Sequence, residues 1–200
     1  MEIYLIRHTT PLVAKGVCYG QTDLDITETF TTEANIIKTH LPSTIQQVYS
    51  SPLQRCTKLA AYLFPVNDII LHDALMEINC GSWEMKRWDD IPREDLEPWM
   101  KDFVNIRTPL GENYQDLYTR VNAVFDEIIA KALPAAIVAH GGVLRSILSY
   151  ITNTAIIDSF NAFNLHYGCV IKIETANGNR QHSILSNIVH EKETHKPTGF

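Results

Sequence analysis

No stretch of about 18 consecutive apolar residues occurs in this sequence of 200, so it offers no helix able to span a bilayer. Cysteine is scarce and scattered. Cys18, Cys56, Cys80 and Cys169 form no C-x-x-C pair, which argues against a disulfide framework and for reduced, mostly buried thiols. Basic charge is also short: 17 lysines and arginines stand against 23 aspartates and glutamates, a net charge of −6. That balance excludes a general nucleic-acid surface and leaves an anionic ligand only a locally basic pocket. Near the start, Glu2, Arg7 and Lys15 leave no apolar h-region, so the expectation is no secretory leader and a cytoplasmic location. The histidines show no H-x-x-H spacing and no dense carboxylate company, so neither a metal nor a cofactor is expected.

What is present is an ordinary globular composition, 45% hydrophobic and 20% charged, sufficient for one domain with a real core. Residues 2–7 are mostly apolar, as in a central strand covered on both faces. A loop follows to Asp25. Helical spacing of Phe30, Ala34, Ile37 and Leu41 predicts a helix over 27–40, ended by Pro42. Strands are predicted at 47–50 and 69–72. Between them Ser51-Pro52 is the expected start of a helix to Phe64, an N-cap with proline in the first helical position. Residues 113–133 are strongly helical, 135–139 a strand, and 143–151 a helix. Two late strands, 169–174 and 183–189, are expected to be joined by the Asn177-Gly178-Asn179 turn, with a polar, frayed tail over 191–200. Strands alternating with helices predict an α/β fold with a mostly parallel sheet, helices on both faces and an antiparallel edge. All three tryptophans (Trp83, Trp88, Trp99) lie in a charged, proline-containing segment at about 76–112. It is too small to fold alone and is expected to be a lid-like insertion within a single domain over 1–200.

The chemistry-bearing residues collect at strand ends. The first strand ends in Arg7-His8, and Ala136–Ala139 ends in His140-Gly141-Gly142. Ligands bind at that carboxyl edge in open α/β sheets. Glycines after a strand let backbone N–H groups approach an anion closely. Arg55, in the first turn of a helix, leans back toward the same edge. Glu77 and Glu84 bracket Gly81-Ser82-Trp83 and are candidate general acids. Singly, each has an ordinary explanation: a surface arginine, a capped histidine, a tight turn, a solvated glutamate. Together they specify two imidazoles, two guanidiniums and a carboxyl group, a set able to clamp and transfer a phosphoryl group.

The blocks Arg7-His8-Thr9-Thr10, Ser50-Ser51-Pro52-Leu53-Gln54-Arg55, Glu77 with Gly81-Ser82-Trp83-Glu84, Pro109-Leu110-Gly111-Glu112 and His140-Gly141-Gly142 span essentially the whole chain in order. They resemble the histidine phosphatase, or phosphoglycerate-mutase-like, superfamily. The resemblance implies a three-layer α/β/α sandwich and a metal-independent phosphohistidine mechanism. His8 would be the nucleophile and Glu77 the proton donor, with Arg7, Arg55, His140 and Gly141 holding the phosphoryl group. Three positions depart from the usual pattern: Thr9 and Met85 stand where glycine is common, and Asn113 where serine is. The β-branch of Thr9 disfavours a positive φ, so the turn after His8 is expected to be reshaped or strained.

Arg7-His8-Thr9-Thr10-Pro11 followed by Gly16-Val17-Cys18-Tyr19-Gly20-Gln21-Thr22-Asp23 most resembles the α-ribazole-5′-phosphate phosphatases of cobalamin nucleotide-loop assembly. Gln21 and Trp83 are then candidate substrate contacts. The tryptophans are otherwise expected to pack beneath the lid. The implied partner is a small phosphomonoester, with no nucleic acid and no membrane; a homodimer is compatible with the sequence. Competing readings are a phosphoglycerate mutase, a broad-specificity sugar or nucleotide phosphatase, a non-catalytic phospho-ligand module and a metal hydrolase. No extensive lid that would retain a phosphorylated intermediate is evident, which favours hydrolysis over the mutase.

Overall fold

Apolar runs bounded by turns become strands, and their pairing sets the architecture. In a computed structural model, which describes residues 1–176 and 179–188, six strands form one sheet: β1 (Glu2–Arg7), β2 (Gln47–Ser50), β3 (Ile69–Leu71), β4 (Ala135–Ala139), β5 (Val170–Ala176) and β6 (Asn179–Ser186). Their order is β3-β2-β4-β1-β5-β6. The first four are parallel to one another, and β5 and β6 add the antiparallel edge. The principal helices are α1 (Phe30–Lys38), α2 (Gln54–Leu63), α3 (Arg93–Lys101), α4 (Tyr114–Ala130), α5 (Gly141–Thr152) and α6 (Ser159–Ala162). No helix among the described residues is long and apolar enough to cross a membrane.

Alternation along the strands divides the core into two clusters, one on each face of the sheet. Ile3 and Leu5 of β1 and Ile137 of β4 pack with Leu117, Phe125 and Ile147. Tyr4, Ile6 and Val138 point the other way, onto Ala34, Cys56 and Leu59 of α1 and α2. The result is helices, sheet, helices: the three-layer sandwich. Each fully buried Leu, Ile or Phe contributes about 1.5–3 kcal/mol, so these faces fix the strand register firmly.

The tryptophan-rich segment joins the larger cluster. Its ring centroids lie 5.5 Å apart for Trp83 and Trp99 and 6.0 Å for Trp88 and Trp99. All three indoles are buried in the same cluster as α4 and α5. Short 3-10 turns at Gly81–Trp83 and Trp88–Asp90 and helix α3 thus hang from the main core.

Three helix starts differ from expectation, α5 beginning two residues early at Gly141. Helix α1 begins at Phe30, because Glu33 and Thr29 bond each other and Glu33 also accepts from Thr10 N–H, engaging the preceding turn in tertiary contacts. Helix α2 begins at Gln54 rather than at Pro52. Its first N–H is capped from across the fold by Asp23, at 2.7 Å, while the Ser51 hydroxyl lies 2.8 Å from His140 Nε2. Asn113 does cap α4: its side chain accepts from Asp116 N–H and Asp116 accepts from Asn113 N–H, a reciprocal capping box. Residues 177 and 178 of the expected turn and the expected frayed tail lie outside the described residues.

Candidate active site

Register brings the two strand-tip histidines together. Arg7 pairs with Ala139 across β1 and β4, so His8 and His140 are the next residues on adjacent strands. His8 N–H donates to Ala139 C=O at 3.0 Å, and the rings lie 5.1 Å apart. On the other side of β4, Ser50 pairs with Val138, so Ser51 falls beside Ala139, and its hydroxyl reaches to 2.8 Å from His140 Nε2. The carboxyl edge of three adjacent strands thus carries His8, His140 and Ser51.

Both imidazoles are buried. Burial and the guanidiniums of Arg55 and Arg7 hold His8 well below the ordinary histidine range. Its Nδ1 lies 2.7 Å from Thr9 C=O, which can only accept, so Nδ1 carries the proton and Nε2 keeps its lone pair. Burial and Arg55, followed by His8 and Arg7, depress His140 in the same direction.

Arginine supplies the charge. Arg7 donates from Nη1 to Leu165 C=O at 2.5 Å, and its Cζ sits 3.9 Å from the centre of the Tyr167 ring. Arg55, with 0% exposure, donates from Nη1 to Thr22 C=O and from Nη2 to Gly20 C=O, at 2.8 and 2.7 Å. The Tyr19 ring lies 5.7 Å from Arg55 Cζ, and the Tyr19 and Tyr167 hydroxyls bond each other, joining the covers of the two guanidiniums.

Glu77 meets this cluster at the N-terminus of α5. Gly142 N–H donates to its Oε2 at 3.0 Å, and Ile78 N–H to its Oε1 at 2.9 Å. A Cβ on Gly142 would lie 2.2 Å from Glu77 Oε1, so this approach requires glycine. Behind Glu77, Arg120 of α4 donates to the carbonyls of Ala74, Met76 and Glu77 while gripping the Glu112 carboxylate.

The structure therefore gathers Arg7, His8, Arg55, Glu77, His140 and Gly141 at one edge. Gln21 lies next to them, its side-chain N–H donating to Glu77 C=O at 3.0 Å. Trp83 does not: at 2% exposure it is enclosed by Trp88 and Trp99 and has no free face for a substrate, which corrects its expected contact role. Glu84 is engaged by the N–H groups of Gly20, Gln21, Thr22 and Cys80 instead of facing the histidines as a second acid. Thr9 carries no positive φ; among non-glycine residues of the described chain that conformation falls to Met85 (φ 64°), Leu110 (62°), Ala132 (55°) and Asn153 (55°). The turn after His8 is thus shaped without the positive φ rather than strained at Thr9, while Met85 takes that conformation where glycine is common.

Sequence reasoning misses Ser51, Tyr19, Tyr167, Arg120 and Arg145. Arg145 is only 7% exposed, donates from Nε to Phe163 C=O and rests 4.5 Å from the centre of the Phe160 ring. The point a Gly141 Cβ would occupy is 3.1 Å from Arg145 Nη1 and 3.4 Å from Arg7 Nε. Its being the one charged residue of α5 is the signal available for it.

A neutral imidazole, buried guanidiniums and a carboxyl group at a helix N-terminus form an arrangement suited to phosphoryl transfer. Known proteins agree. "Probable phosphoglycerate mutase GpmB" of Escherichia coli O1:K1 / APEC is 31% identical over 163 residues, 76% of this chain and 74% of its own. The crystal structure of the α-ribazole phosphatase from Shigella flexneri superposes with a TM-score of 0.85 at 22% identity, covering 92% of this chain and 96% of that one. That of the phosphoserine phosphatase from Entamoeba histolytica, in complex with 3-phosphoglyceric acid, gives 0.75 at 17%, covering 95% and 98%. The family model for branch 1 of the histidine phosphatases matches residues 3–187, a span that includes every residue gathered at the edge, and the chain belongs to the histidine phosphatase superfamily.

Proposed function

We propose that this phosphomonoesterase works through a phosphohistidine on His8 and that α-ribazole-5′-phosphate is its substrate. The observation that carries the mechanism is the setting of His8, buried with its Nδ1 2.7 Å from Thr9 C=O, where burial and the guanidiniums of Arg55 and Arg7 favour the neutral ring. Nε2 attacks phosphorus, forming the P–N bond as the ester P–O bond breaks. Arg7 and Arg55 balance the charge on the phosphoryl oxygens, and the Gly141 N–H and His140 sit at the same edge to receive them. Glu77 gives its proton to the departing alkoxide. Water then attacks phosphorus and returns a proton to Glu77 as the P–N bond breaks. The substrate assignment is supported by the sequence of the Arg7–Asp23 segment, which supplies Gly20, Gln21 and Thr22 to the site. Among the described residues none of the four cysteines forms a disulfide and all are buried, which supports a reducing, cytoplasmic setting.

A second reading, phosphoglycerate mutase, is favoured by the name of the E. coli relative. One panel separates the two: α-ribazole-5′-phosphate, phosphoglycerates, phosphoserine and sugar phosphates, with and without chelator. Phosphate release is expected to be fastest from α-ribazole-5′-phosphate, unaffected by chelator and absent in His8→Ala. Removing Arg55 as alanine is expected to lower turnover by about 10²–10³, the usual size for a lost charge-stabilising donor. Interconversion of phosphoglycerates without phosphate release would establish the mutase instead, and turnover surviving in His8→Ala would remove the nucleophile from its role.

A further inference from the structure

Arg55 is a buried cation with no carboxylate on its guanidinium among the described residues. Its terminal nitrogens rest on the backbone carbonyls of Gly20 and Thr22, in a loop without regular structure. A loop carbonyl is a poor anchor unless something holds the loop.

Glu84 holds it. Its Oε1 accepts from Gln21 N–H at 2.8 Å and from Cys80 N–H at 3.2 Å. Its Oε2 accepts from Gly20 N–H at 3.0 Å, from the Thr22 hydroxyl at 2.6 Å and from Thr22 N–H at 3.3 Å. The loop also lies so close that a Cβ on Gly20 would fall 1.9 Å from Ile78 C=O and 2.9 Å from Glu84 Oε1.

One peptide unit connects the two charges. The amide between Gly20 and Gln21 donates its N–H to Glu84 and accepts Arg55 Nη2 on its C=O. A carboxylate at one end and a guanidinium at the other polarise that amide in the same sense, strengthening both bonds. Glu84 and Arg55 form an ion pair with a peptide bond in the middle.

We propose that Glu84 is a positioning residue: through the Gly20–Gln21 peptide it aims the Arg55 guanidinium at the phosphoryl group, without touching substrate itself. The inference rests on Arg55 being a phosphate ligand, as assigned above. It also gives Gly81-Ser82-Trp83-Glu84 a purpose. The buried Trp83 fixes the segment, and the next residue carries the anchor for Arg55.

Inorganic phosphate tests this without knowledge of the natural substrate. Its binding would be measured by calorimetry and by competitive inhibition for wild type, Glu84→Gln, Arg55→Ala and the double variant. Glutamine keeps the shape but turns an NH₂ group toward donors. Glu84→Gln is expected to weaken phosphate binding about tenfold or more, the worth of a hydrogen bond to a charged group. In the Arg55→Ala background the same change is expected to add nothing, because the residue it aims is gone. A purely structural glutamate would lower Tm and produce equal losses in both backgrounds, and equal losses would overturn the proposal. So would wild-type phosphate affinity in a folded Glu84→Gln protein. If phosphate binds wild type and Arg55→Ala equally, the role of Arg55 falls first and the proposal with it. Should Glu84→Gln not fold, Glu84→Asp retains the charge on a shorter arm, and the same coupling to Arg55 decides.

Discussion

Burial, Arg55 and Arg7 all oppose a second proton on the His8 ring, while Thr9 C=O fixes the first on Nδ1. The folded-state pKa is therefore depressed. His8 stays neutral as pH falls through about 6.5, where an exposed histidine titrates, and protonates only well below it. Ring nitrogen and carbon shifts of His8, followed by NMR as pH is lowered through about 6.5, are expected to keep reporting the Nδ1–H tautomer there. A midpoint near 6.5 would show that His8 is not held neutral. At the same scale, Met85 at φ 64° takes the conformation that glycine usually occupies, with its side chain half exposed. An L-residue there costs about 1–2 kcal/mol, which the backbone bonds from Met85 N–H to Cys18 C=O and from Cys18 N–H to Lys86 C=O help to offset.

Among the elements, α4 does more than cover the sheet. Burial pushes Glu112 up, yet Arg120 and the Asn79 N–H outweigh it and leave the carboxyl below its usual range. The stabilisation this gives is fully present above the ordinary glutamate value of about 4.3 and is lost as pH falls through the depressed one. Glu112→Gln is expected to lower Tm near neutral pH, by roughly 2–4 °C for each kcal/mol lost. The gap to wild type should narrow in acid, and thermal melts across pH would show a constant gap if the ion pair is not responsible. Elements were also where the sequence was most and least informative. β1 and β4 could be read because each is an apolar run ending abruptly in histidine. The start of α2 could not, because its cap, Asp23, comes from a distant loop and Ser51 is drawn to His140. Arg120 and Arg145 were hidden because they act by reaching back from helices onto carbonyls, and no local spacing records that. For Trp83 the company of Trp88 and Trp99 within residues 76–112 favours packing over substrate contact, and its burial agrees.

For the whole molecule, the tryptophan segment and both central strands share one apolar cluster. A single cooperative transition follows, in which indole fluorescence and far-UV circular dichroism change together. An earlier fluorescence transition would mean that residues 76–112 come away as a unit of their own. The site depends on the same cohesion, since its residues are drawn from three parallel strands, two helix starts and two loops.

β1 has a further peculiarity. Its two neighbours in the sheet, β4 and β5, both lie more than 100 residues downstream, beginning at Ala135 and Val170. During synthesis, at about 5–20 residues per second, β1 therefore waits roughly 7–30 s outside the ribosome with both edges bare and a run of Ile, Leu and Ile uncovered. The strand that carries His8 is the first of the six described strands to be made and among the last to be sheltered, so the nascent chain, more than the finished enzyme, is where this fold is exposed to aggregation and where a chaperone has something to hold.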